Sequence, residues 1–72
     1  MNVVFGINPV LELIRTRPGS IENLCVARAT ENPKIKSEIV PLAERSRIKV
    51  ILSDKDQLNE LAAGGVHQGI VA

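Results

Sequence analysis

The stretch LCVARATENPKIKSEIVPLAERSRIKVIL, residues 24–52, decides the fold class. Its first four residues, Leu24-Cys25-Val26-Ala27, are apolar without polar alternation, the pattern of a strand buried on both faces. Its last five, Ile48-Lys49-Val50-Ile51-Leu52, are rich in β-branched side chains, which suit a pleated, partly buried surface. Between them Asn32-Pro33 has the form of a helix start. Ile35, Ile39, Leu42 and Ala43 then keep helical spacing up to Arg45. Strand, helix and strand in this order favour parallel strands joined by a right-handed crossover. Pro41 conflicts with the middle element. It removes the N–H that would bond to the Ser37 carbonyl and crowds that carbonyl, at about 3 kcal/mol in a regular helix interior. The sequence therefore predicts a second helix that starts late, near Ser37, or kinks there.

The same alternation continues on both sides. Val3-Val4-Phe5 is an apolar run, followed by Asn8-Pro9 with the form of an N-cap and a proline at the first helical position. Val10, Leu13 and Ile14 follow at helical spacing with Leu11 beside them, and Pro18-Gly19 stops the helix. Beyond Leu52, Ser53-Asp54-Lys55-Asp56 has the shape of a capping box, with Asp in place of Glu. Leu58, Leu61 and Ala62 form the stripe of a third helix, and Gly64-Gly65 ends it. Ile70-Val71-Ala72 is a last apolar run. The expected fold is α/β, a β-α-β-α-β-α-β order with a mostly parallel sheet and three helices. It is a single domain over residues 1–72. A chain that stops inside an apolar strand reads as the N-terminal domain of something longer, since C-termini usually run out through exposed polar residues.

Composition narrows the function. The chain has 72 residues, 44% hydrophobic and 24% charged, an ordinary balance for a small folded domain. Its size predicts a total stability of about 4–11 kcal/mol. The apolar runs are too short to span a membrane, and no charged segment precedes an apolar stretch, so no signal peptide is expected. Cys25 is the only cysteine and His67 the only histidine, so neither an internal disulfide nor a four-ligand zinc site is available. These features point to a reducing cytoplasm. Phe5 is the only aromatic residue, which disfavours a base-stacking platform. The net charge of +1 is unevenly spread. Residues 15–49 carry eight Lys/Arg against four Glu, while residues 50–72 are net acidic. The basic middle permits a surface for a polyanion.

Little in the chain reads as catalytic. Cys25 lies inside an apolar run, where a buried structural thiol is expected. His67 has no recognisable nucleophile or carboxylate partner. Gly64-Gly65-Val66-His67-Gln68-Gly69 is glycine-rich, but it follows a helix rather than opening one and lacks the G-K-[ST] ending of a phosphate loop. Arg15 and Arg17 complement the end of the first helix. Parallel strands would set Asn8, Arg28 and the loop bearing Lys34 and Lys36 along one sheet edge, at the carboxyl ends of the strands where α/β sheets take their ligands.

Two motifs carry a family resemblance. Phe5-Gly6-Ile7-Asn8-Pro9-Val10-Leu11-Glu12, with Leu13-Ile14 after it, resembles the opening of the substrate-binding domain of SpoU/TrmH-type RNA 2′-O-ribose methyltransferases. Val66-His67-Gln68-Gly69-Ile70-Val71-Ala72 resembles its end. The resemblance covers the whole chain, with the middle matching in element order. It implies the small α/β sandwich of the kink-turn-binding ribosomal proteins. It implies a knotted catalytic domain after residue 72 that binds S-adenosylmethionine, in a parent that dimerises. It assigns no catalytic residue and no cofactor to these residues, and the composition of the isolated domain suits a monomer. The implied partners are structured RNA, rRNA in the members most like this chain, and the chain's own catalytic domain. Asn8, His67 and Gln68 are then the expected polar contacts to RNA, with Arg15, Arg28, Lys34 and Lys36 on phosphates. Recognition by shape needs such cations and no rings. The rival expectation is a protein-docking module that positions the catalytic domain without touching RNA.

Overall fold

A computed structural model describes residues 3–72. The elements are α1 (Ile7–Thr16), β1 (Asn23–Ala27), a π-helical turn (Ile35–Ile39) running into α2 (Val40–Arg45), β2 (Lys49–Ser53), α3 (Lys55–Leu61) and β3 (Ile70–Val71). The fold is α/β with three helices, as expected. The sheet has three strands in the order β2-β1-β3. β1 and β2 are parallel, with Asn23 opposite Lys49 and Ala27 opposite Ser53. β3 is antiparallel to β1, with Val26 opposite Ile70.

The sheet is therefore mixed, not mostly parallel. α3 is only seven residues long, and the chain after it returns to the carboxyl end of β1 before β3 starts. Ala63 (φ 51°) and Gly64 (φ 84°) reverse its direction. The first apolar run also falls short of a regular strand. Phe5 makes an isolated antiparallel bridge to Val71, and Val4 exchanges both backbone hydrogen bonds with Ala72.

Alternation along β1 divides the core. Leu24 and Val26 are buried with Val10, Leu11 and Ile14 of α1 and with Ile35, Ile39 and Ala43. Cys25 and Ala27 face the other way, toward Leu58 and Ala62. That second face is only half-covered because α3 is short, so β1 is fully buried on one face alone. Leu61, expected in the stripe of α3, is 45% exposed.

Helix starts differ from expectation in instructive ways. α1 begins two residues early. Gly6, at φ 97°, is its cap residue, and Asn8 sits inside the first turn. The acceptor that Asn8 was expected to provide comes from Gln68, whose Oε1 takes the Ile7 N–H at 2.8 Å. The capping box of α3 is shifted by one, from Ser53/Asp56 to Asp54/Gln57. Ser53 instead ends β2 and is buried.

The second helix starts at its first signal and not late, near Ser37; the irregularity expected there as the other outcome is present as the π-helical turn Ile35–Ile39. Asn32 Oδ1 accepts the N–H groups of Lys34 (2.9 Å) and Ile35 (3.3 Å). Pro41 is accommodated by widening the preceding turn, with the Val40 N–H donating to the Ile35 carbonyl five residues back. The wider turn relieves the crowding that Pro41 would impose on Ser37 in a tighter helix.

Candidate nucleic-acid interface

Parallel pairing brings the carboxyl ends of β1 and β2 to one edge, and antiparallel β3 begins at that same edge. Each chain exit there is fixed by a hydrogen bond. Arg28 N–H extends the ladder to the Ser53 carbonyl (2.9 Å), and Ala27 N–H reaches the Gly69 carbonyl (2.8 Å). The edge holds an open cleft of about 400 Å³. Ala27, Leu58 and Gly69 give it apolar walls, with Arg28, Thr30, Asp54, Lys55 and His67 also lining it. Ligands of open α/β sheets approach such an edge.

His67 is half-buried and held at both nitrogens. Its Nδ1 accepts the Gly69 N–H (2.9 Å), so that nitrogen carries no proton. Nε2–H is then the donor to Asn59 Oδ1 (2.6 Å). The ring thus locks the turn before β3 onto α3. Gln68, at φ 56°, points its carbonyl oxygen into the start of α1. The opening and closing motifs, 61 positions apart, meet at that bond. Gly6 faces the same group, since a Cβ there would lie 3.2 Å from Gln68 Oε1.

The cations of this edge are exposed. Arg28 Nε donates to Asp54 Oδ1 at 3.3 Å, and Lys36 Nζ lies 4.0 Å from Glu31. Both pairs are solvent-facing, so each contributes at most about 1 kcal/mol and each lowers the local positive potential. Lys34 stands at the capped start of the second helix, near the cleft, since Gly69 lies close to Thr30 and Ile35.

Six of the seven expected site residues, Asn8, Arg28, Lys34, Lys36, His67 and Gln68, are therefore on or beside one edge. Arg15 is not. It sits at the far end of α1, about 12 Å along the axis from Ile7 at 1.5 Å per residue. Sequence reasoning missed Asp54 as the partner of Arg28, Asn59 as the partner of His67, and Lys55 and Thr30 as lining residues. None has a local signal, because each is brought in by strand pairing or by a turn. Among the described residues, no group of three or more His, Cys, Asp or Glu is placed to hold a metal ion. No helix there is long and apolar enough to cross a membrane.

Comparison with known proteins adds two findings. Residues 3–72 match the family described as RNA 2′-O ribose methyltransferase substrate binding. The 23S rRNA (guanosine-2′-O-)-methyltransferase RlmB of Pseudomonas aeruginosa is 36% identical over 69 residues, which are 96% of this chain and 27% of that protein. The chain spans about a quarter of the length of the curated relative it matches.

Proposed function

The chain belongs to the family of RNA 2′-O ribose methyltransferase substrate-binding domains, and on that premise we propose that it holds structured RNA, rRNA in particular, for a methyltransferase whose catalytic domain is a separate part of the parent protein. The match across residues 3–72 carries the reading. The geometry supports it, because the two motif ends meet at the sheet edge where Arg28, Lys34 and Lys36 also lie. In this reading those cations hold phosphates, and Asn8 and the cleft rim face ribose and base edges. His67 and Gln68 act first on the protein, fixing the turn and the helix that shape the edge.

No step of the methyl transfer falls to these residues. S-adenosylmethionine, the methyl donor such a reaction uses, is the catalytic domain's ligand in this account. What the module supplies is position, which raises the effective concentration of RNA at the catalytic domain. A dimeric parent working in the cytoplasm completes the proposal.

The test is RNA affinity of the chain before and after Lys34→Gln with Lys36→Gln. Three or four phosphate contacts predict affinity falling roughly 20- to 150-fold between about 50 and 200 mM salt, at 0.7–0.9 counterion per contact. The double variant should bind more weakly with a shallower salt slope. Binding unchanged by the variant would remove these lysines from the interface. RNA never binding would leave the docking role instead.

A further inference from the structure

The two exposed ion pairs among the described residues, Arg28–Asp54 and Lys36–Glu31, both sit at the carboxyl edge of the sheet. The opposite end is different. Lys49 opens β2 opposite Asn23, the first residue of β1. Arg45 closes α2 just before it, and Arg47 lies in the connecting turn at φ 60°. That turn is fixed by bonds from Arg47 N–H to the Glu44 carbonyl (3.1 Å) and from Ile48 N–H to the Ala43 carbonyl (2.9 Å). α1 starts beside Ile70, at the carboxyl end of β1, so it ends near the amino end. There it presents Arg15, and Arg17 lines a groove with Asn23.

All five side chains are exposed, and none forms an ion pair among the described residues. The carboxylates nearest them are Glu12, three residues before Arg15, Glu22, which lines the same groove as Arg17, and Glu44 beside Arg45. Helix ends account for Arg15 and Arg45, whose charges complement the carbonyl-rich termini. The same holds for Arg17, the C-cap residue of α1, but not for Arg47 and Lys49, which lie beyond the helices. Five cations against these three carboxylates leave this end net positive, a repulsion that a polyanion relieves.

We propose that this amino-terminal end of the sheet, with Arg15, Arg17, Arg45, Arg47 and Lys49, is a second RNA-backbone contact face and carries the larger share of the salt-dependent affinity. The inference rests on the RNA-binding reading and names the surface that does most of the phosphate work. The carboxyl edge, where Arg28 and Lys36 are paired with carboxylates, then adds fewer counterion-releasing phosphate contacts beside its polar ones, while the unpaired cations at the other end release more.

The test compares the triple variant Arg45→Gln/Arg47→Asn/Lys49→Gln with Lys34→Gln/Lys36→Gln, in the 72-residue chain titrated with a structured rRNA hairpin. Asparagine tolerates the left-handed turn at position 47. The expected result is a salt slope shallower by about two to three units in the triple variant, with a smaller change in the double variant. Amide-shift mapping on the unmodified chain gives a second readout free of folding effects, with RNA-induced shifts expected at Ser46, Arg47 and Lys49. A natural slope in a folded triple variant, with shifts confined to the carboxyl edge, overturns the second face and leaves the RNA reading standing. No RNA binding by the unmodified chain overturns both.

Discussion

Gln68 offers the sharpest separation between a residue that builds the edge and one that contacts RNA. Its Oε1 accepts the Ile7 N–H at 2.8 Å, satisfying one of the open donors of α1. Replacing Gln68 by Ala removes that acceptor without changing backbone type. Losing a cap of this kind costs about 1 kcal/mol, in line with about 0.5–1.5 kcal/mol for one net hydrogen bond. For a domain this small that lowers Tm by about 4–8 °C. Gln68→Glu keeps an acceptor and adds a negative charge at a helix start, worth about 0.3–1 kcal/mol. The account therefore predicts that Ala destabilises and Glu does not. Urea and thermal unfolding of the three chains read this directly. RNA affinity at fixed salt supplies the contrast, because a direct contact would be weakened by Glu through repulsion from phosphate. Equal stability of the natural chain and Gln68→Ala would refute the capping role.

Other substitutions probe the rest of the frame. Gly65→Ala should destabilise by about 1–3 kcal/mol in urea unfolding, as for an overpacked site. A Cβ there falls 2.5 Å from the Phe5 ring, so the ring must move. Asn32→Ala removes the acceptor of the Lys34 and Ile35 N–H groups and should cost about 1 kcal/mol, with faster amide exchange at both. Pro41→Ala restores an N–H four residues after Ser37 and should let the π turn relax to an α-helical one. Its stability should rise by up to about 1 kcal/mol, the gain of one backbone hydrogen bond less the added freedom of the unfolded chain. A loss of stability would show that the wide turn is held by packing instead.

What the sequence revealed and what it hid have physical causes. Helix and strand periods are local, so Val10, Ile14, Leu24 and Val26 identified the main core side. The Asn32 start signal was sound, and of the two outcomes read from Pro41 the late start did not form, while an irregularity around Ser37 did, as a wider turn that absorbs the ring. The direction of β3 was hidden because apolar content says nothing of strand polarity, which the turn around Ala63, Gly64 and Gly69 sets. Asn8 looked like a cap because Asn-Pro usually is one. Its competitor, Gln68, lies 61 residues from Ile7 and leaves no local trace. The motif resemblance marked both ends of that contact without showing that they touch. Charge was legible as a basic middle segment, but which cations are paired was not. Arg28 and Asp54 are 26 residues apart and meet only through the β1–β2 pairing.

The most direct test of the central claim is amide-shift mapping of the unmodified chain with a structured rRNA hairpin at about 50 and 200 mM salt. The account predicts specific, salt-sensitive shifts at Arg28, Lys34 and the start of α1, together with residues 45–49. Absence of shifts at high RNA concentration and low salt would contradict it and assign RNA selection to other parts of the parent protein.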